Sequence, residues 1–133
     1  MESNKIETVK KFLIATYTGD TSLVDSHASE NIKISYPIFT KIFNSPLLEG
    51  KEKLKNFITH FATKFTDGKI TIHETVSQDD NIIFIWSFDA VNTESGNNEY
   101  WGGITLYKLD SNGKISLELG EESTPGPVAR LQS

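Results

Sequence analysis

Cysteine is absent from the 133 residues, which rules out a disulfide framework, a thiolate nucleophile and a cysteine-type zinc site. Arginine is almost absent as well, with Arg130 near the C-terminus the only one. Cations as a class are in deficit: 13 lysines and arginines face 18 acidic residues, for a net charge of -5, and no basic stripe gathers them locally. The electrostatic attraction that carries most binding to nucleic acid and to anionic membranes is therefore missing, and neither partner is expected. No apolar run is long enough to span a bilayer, and the opening residues Met1 to Lys5 pass straight into an amphipathic pattern without an apolar signal core. The expected protein is soluble and cytoplasmic.

The chain is the length of one ordinary domain, able to bury roughly two-thirds of its unfolded surface around a single core. Its densest apolar material lies late. Ile82 to Val91 and Tyr100 to Leu109 are rich in β-branched and aromatic residues and are joined by a polar connector, and Ile115 to Glu122 follows a turn at Asp110 to Gly113. This pattern predicts three consecutive antiparallel strands. Upstream, Ile6, Val9, Leu13 and Tyr17 recur at helical spacing until Gly19, and Leu23 and Val24 mark a short second helix. Ile32, Ile34 and Tyr36 alternate as a strand closed by Pro37. Residues Ile38 to Leu48 hold neither period and read as an apolar connector packed over something. A third helix runs from Lys51 to Phe65 with Leu54, Phe57, Ile58, Phe61 and Phe65 on one broad face, and Lys69 to Ser77 forms a further strand with Ile70, Ile72 and Val76 on its apolar side. The tail from Ser123 reads as irregular. Three helices in the N-terminal half and a curved antiparallel sheet make an α+β fold, a cone whose open end leaves a concave apolar pocket.

Strand alternation sorts the pocket wall. Ile82, Phe84, Trp86, Phe88 and Ala90 share one face, matched on the next strand by Trp101, Gly103, Thr105, Tyr107 and Leu109. Gly102 and Gly103 are costly inside a strand and mark either a bulge or a close approach. The opposite face, with Ile83, Ile85, Tyr100, Ile104 and Leu106, is apolar enough to predict a homodimer. On the last strand Ile115, Leu117 and Leu119 alternate with Glu118 and Glu122. Two readings of Glu118 stand. Either it is desolvated among aromatic rings, with its pKa raised toward neutrality and a role as general acid or base, or it is a solvated strand residue while the leucines fill the core.

On the Tyr17-Thr18-Gly19-Asp20 helix stop, Ile32 to Pro37, the Glu49-Gly50-Lys51 helix entry and Gly113-Lys114-Ile115, the chain resembles the nuclear-transport-factor-2-like superfamily, and within it the SnoaL-like polyketide cyclase branch. The resemblance covers about residues 5 to 122. It implies the cone and its pocket, and a superfold that hosts isomerases, dehydratases, cyclases, epoxide hydrolases and non-catalytic proteins. Where ketosteroid isomerases carry a tyrosine and two aspartates, this chain has Phe12, Tyr36 and Thr105, so steroid isomerase chemistry is not implied. An arginine between two aspartates, as in limonene-epoxide-hydrolase-like sites, is missing too. SnoaL-type cyclases place a histidine and an aspartate on the last strand, where this chain has Glu118 and Gly120, so Glu118 is the one acid or base that survives.

The resulting expectation is a small-molecule-binding protein with Glu118 catalytic and with Tyr17, Tyr36, His60, Phe61, Phe84, Trp86, Phe88, Trp101, Thr105, Tyr107 and Glu122 around the ligand. No cofactor is implied, and His27, His60 and His73 lack metal-ligand spacing. If the protein is an enzyme, it is an isomerase, lyase or cyclase working by proton transfer on a hydrophobic, carbonyl-bearing metabolite. His60, Tyr36 and Tyr107 each have a structural reading too, the first as a half-buried helix histidine and the other two as core aromatics with satisfied hydroxyls. The alternative function is a non-catalytic dimerisation or interaction domain, its cavity plugged by Trp86, Trp101 and Phe88.

Overall fold

A computed structural model of the chain describes residues 2–132, the side chains of residues 2, 3 and 42 excepted. The first helix, α1 (Glu2–Thr18), buries Val9, Phe12, Leu13, Thr16 and Tyr17 along one face. A short α2 (Ser22–His27) leads into β1 (Ala28–Ser35), then α3 (Ile38–Phe43), β2 (Leu47–Glu49) and α4 (Lys51–Lys64). Four long strands follow, β3 (Phe65–Gln78), β4 (Asn81–Asn92), β5 (Asn98–Leu109) and β6 (Ile115–Ser123), and α5 (Pro127–Leu131) ends the chain. No helix is long and apolar enough to cross a membrane among the described residues.

The six strands form one curved, unclosed sheet in the order β2-β1-β6-β5-β4-β3, an α+β architecture as expected. All neighbours are antiparallel except β1 and β6, which run parallel. A parallel pair needs a long crossover, here everything from α3 to β5. The helices α1 and α4 pack on the inner face, α4 through Leu54, Phe57 and Ile58. Alternation along β4 is as the sequence predicts: Phe84, Trp86 and Phe88 are fully buried, and each stabilises the fold by about 2–3 kcal/mol through area removed from water. Outside, Ile104 and Leu119 keep 44% and 47% of their surface exposed.

The structure corrects the sequence reading at several points. Residues 38–48 are not a featureless connector but hold α3 and β2, which adds a fourth N-terminal-half helix and a sixth strand. The tail is not irregular throughout, since α5 starts at Pro127. β3 begins at Phe65, and a register shift between Ile72 and Glu74 turns Val76 outward, 58% exposed. Gly102 and Gly103 are no bulge, because the β4–β5 pairing runs through them without a break. They permit a close approach: a Cβ on Gly103 would stand 2.9 Å from the Trp86 ring, and one on Gly102 would meet Gly126 at 3.3 Å as the tail crosses the outer face.

Candidate functional site

One helical stripe and one loop build the roof of a cavity of about 410 Å³. Phe57, His60, Phe61 and Lys64 follow the i, i+3, i+4, i+7 spacing of α4, so one face presents all four to the same space. Tyr36, Pro37, Ile38, Phe39 and Lys41 close the second side as β1 passes into α3, and Phe65, Glu99, Trp101, Glu122, Ser123 and Thr124 complete the wall with Tyr17. The rings interlock: Phe61 lies 4.9 Å from Phe65 and Phe65 5.2 Å from Trp101, centroid to centroid.

Of the twelve residues expected at the site, the cavity is lined by Tyr17, Tyr36, His60, Phe61, Trp101 and Glu122. His60 is exposed rather than half-buried. Phe84, Trp86, Phe88, Thr105, Tyr107 and Glu118 face the same side of the sheet but lie beneath the cavity, each at most 1% exposed. The physical reason is Tyr17, whose ring sits 5.1 Å from both Trp86 and Phe88 and fills the deep end of the cone. Phe39, Phe57, Phe65, Lys41 and Lys64 also line the cavity and were not anticipated, although the spacing of 57, 60, 61 and 64 carried the signal for Phe57 and Lys64. His73 shares a 2.8 Å hydrogen bond with Ser87 through its Nε2, away from the cavity. No group of three His, Asp or Glu residues able to hold a metal occurs among the described residues.

Beneath the cavity a chain of polar groups crosses the sheet. The Trp86 indole N–H donates to Thr105 Oγ1 at 2.9 Å, Thr105 Oγ1 meets the Tyr36 hydroxyl at 3.0 Å, and that hydroxyl donates to Glu118 Oε2 at 2.6 Å. Indole is only a donor and a carboxylate only an acceptor, so with Glu118 ionised every proton points toward it. Glu118 is 1% exposed and packed into the core, so the solvated reading of this residue is overturned. Its Oε1 and the Tyr107 hydroxyl are buried without a hydrogen-bond partner, although Tyr107 is near enough to favour the charged carboxylate. Gly120, two residues on, leaves room for Tyr36: any Cβ there would fall on its ring.

Burial pushes the Glu118 carboxyl up to about 7, the Tyr36 and Tyr107 hydroxyls pull it back in part, and the charge of Glu122 pushes it further up. Glu122 is likewise raised to about 7, by burial first and by Glu121 second. Burial, then the neighbouring carboxylates, holds Tyr17, Tyr36 and Tyr107 well above the usual phenol range, so all three remain neutral donors. The cavity thus holds one carboxyl poised near neutrality, Glu122, and two phenols, Tyr17 and Tyr36, the latter backed by a second such carboxyl. That set is able to exchange a proton with a bound molecule and to stabilise negative charge on its oxygen.

Among solved structures, a candidate SnoaL-like polyketide cyclase from Jannaschia sp. CCS1 superimposes with a TM-score of 0.77 at 12% identity, over 98% of this chain and 90% of its own. An LEH-like epoxide hydrolase of M. tuberculosis gives 0.73 at 12% identity, again over 98% and 90%. SalBIII, an epoxide hydrolase/cyclase-like enzyme with a role in pyran ring formation in the polyether salinomycin, gives 0.73 at 15% identity, over 94% of this chain and 95% of its own. Comparison with the curated proteins finds no match. At such identities the likeness is one of fold. The profile of the SnoaL-like domain, however, matches residues 9–118, which carry α1 through the middle of β6 and most of the inner face, and the chain belongs to the SnoaL-like domain family.

Proposed function

We propose that the chain binds a hydrophobic, carbonyl-bearing small molecule in this cavity and catalyses a cofactor-free proton transfer, as an isomerase, lyase or cyclase does. The observation that carries the reading is Glu122, a carboxyl raised to about 7 that lines an aromatic cavity of about 410 Å³ together with Tyr36 and with Tyr17, whose hydroxyl feels its charge. A cavity above ~300 Å³ is large enough for a ligand of metabolite size, which favours this reading over a plugged interaction domain. In the proposed reaction the Glu122 carboxylate removes a proton next to the ligand carbonyl, the charge gathers on the carbonyl oxygen, and the Tyr36 O–H stabilises it. Glu118 acts behind Tyr36. When Glu118 holds a proton it donates to the Tyr36 oxygen, and the phenol proton is released toward the ligand.

The test is deuterium wash-in. A panel of aryl ketones incubated in D2O with the protein is expected to acquire deuterium next to the carbonyl, and Glu122→Gln is expected to slow that exchange about 100-fold or more. Exchange that persists unchanged in Glu122→Gln removes its role, and no exchange with any ketone counts against the reaction class.

A second copy of the chain is proposed as the cover of the outer sheet face, because Tyr100, Ile104 and Leu119 are all at least 40% exposed on neighbouring strands. Light scattering is expected to give the mass of a dimer, and Ile104→Asp with Leu119→Asp that of a monomer. A monomeric parent protein sinks this part.

A further inference from the structure

The cavity is not electrically neutral at its mouth. In a chain of net charge -5, three of its sixteen lining residues are Lys41, His60 and Lys64, and all three are exposed. Lys41 and Lys64 stand in the last turns of α3 and α4, where a helix dipole favours a cation, but the dipole does not require both to line one opening. Four other lysines are paired, Lys5 with Asp80, Lys10 with Glu7, Lys51 with Glu30 and Lys55 with Asp25, and none of these four lines the cavity. Lys41 and Lys64 enter no ion pair among the described residues. The acids of the cavity, Glu99 and Glu122, are half-buried instead, and Glu99 Oε2 already accepts a 2.7 Å hydrogen bond from Asn92. Cations on the rim and aromatic rings inside form a polarised container.

We infer that the ligand of this cavity is an anionic amphiphile: a flat apolar body among Phe57, Phe61, Phe65 and Trp101, with a carboxylate or similar anionic group at the mouth facing Lys41, His60 and Lys64. The inference rests on the cavity being the ligand site proposed above and narrows the substrate class from hydrophobic carbonyl compounds to those that carry an acid at the end remote from Tyr36. Two exposed cations with no competing partner attract an anion at the opening and fix which end of the ligand enters first.

Two fluorescent probes of nearly the same shape test it, 1-anilinonaphthalene-8-sulfonate and the neutral N-phenyl-1-naphthylamine. The full chain is expected to bind the sulfonate about five- to tenfold more tightly than the neutral probe, which is what two surface cations supply. In Lys41→Ala/Lys64→Ala, both changes at exposed positions, the preference is expected to collapse toward unity with the melting temperature unchanged, while binding of the neutral probe persists. Equal affinity for the two probes in the parent protein, or a preference that survives in the double variant, overturns the inference and leaves the cavity reading in place. Binding of neither probe overturns the cavity reading itself, and this inference with it.

Discussion

Gly120→Ala is expected to destabilise the protein by about 3–5 kcal/mol, although it adds a single methyl group. The methyl would coincide with the Tyr36 ring, which lies flat against β6 only because residue 120 has no side chain. Overpacking alone costs ~1–3 kcal/mol in a closed core. Here the ring that must move also carries the one hydrogen bond given to Glu118, whose other oxygen has no partner. Displacing Tyr36 therefore leaves a buried carboxyl without a donor, which adds about 1–3 kcal/mol. Since native domains hold only ~5–15 kcal/mol in reserve, the variant should melt well below the parent. Tyr36 also lines the cavity, and a ring displaced into it should lower ligand capacity along with stability. Urea denaturation of Gly120→Ala, Tyr36→Ala and the double variant checks the cause. The methyl should be much less costly once Tyr36 is gone, with a coupling on the order of 1–3 kcal/mol. A Gly120→Ala protein within 1 kcal/mol of the parent, or strictly additive effects, would show that β6 and Tyr36 are not locked together as described.

The same glycine shows why part of the site was legible in the sequence and part was not. Alternation in a strand is a local property, so the inner positions of β4 and β5 could be read directly, Phe84, Trp86, Phe88, Thr105 and Tyr107 among them, and all are buried. Whether an inner position becomes cavity wall or core filling depends on how near a helix comes, and no local pattern encodes that distance. Tyr17 comes within 5.1 Å of Trp86 and Phe88, so these rings are floor, while Trp101, one strand over, remains a wall. Glu118 was undecided for a similar reason. Its strand has apolar residues on one side and acids on the other, and hydrophobicity alone favours leucines in the core. The structure does the reverse, leaving Leu119 47% exposed and Glu118 buried, because Tyr36 arrives from β1 with a donor and Gly120 makes space for it. A parallel β1–β6 pairing between residues over 80 positions apart leaves no trace in either segment read by itself.

Short elements were hidden for another reason. α3 spans six residues and β2 three, too few for either period to repeat. The α5 start did have a readable mark, Gly126 followed by Pro127 at the first helical turn, a position where proline's missing donor is not needed. Read as a cluster, Pro125, Gly126 and Pro127 suggest only a loop. The glycine pair in β5 could be read to the level of a choice, bulge or close approach. Only the position of the Trp86 ring and of Gly126 decides it.

The protein is expected to lose stability as pH rises from about 4.5 to 7, opposite to the usual behaviour of a domain rich in paired carboxylates. The sign follows from two groups. Glu118 and Glu122 both start from an unfolded value near 4.5 and are raised to about 7 on folding. Between those limits the native state binds more protons than the unfolded chain, so stability falls with rising pH; their contribution is complete below 4.5 and gone above the folded values. A shift of this size is worth about 3 kcal/mol for one group. The two titrate as a coupled pair, because the charge of Glu122 is one cause of the shift at Glu118. Asp20 and Asp25 have the opposite sign, lowered by hydrogen bonds from Ser22 and Lys55, and their effect falls below this window, as pH drops through their own lowered values. Glu118→Gln isolates the buried member. Its amide oxygen still accepts from Tyr36, and its N–H2 offers a donor to the Tyr107 oxygen, which has no partner in the parent. At pH 8 the variant should therefore equal or exceed the parent by up to ~3 kcal/mol, at pH 5 the two should nearly coincide, and the slope between should be about halved. Urea denaturation of both proteins at half-unit steps across this range is the measurement. Parallel curves for parent and variant would mean that Glu118 is ionised throughout, and that the Tyr36 proton is never released to a ligand.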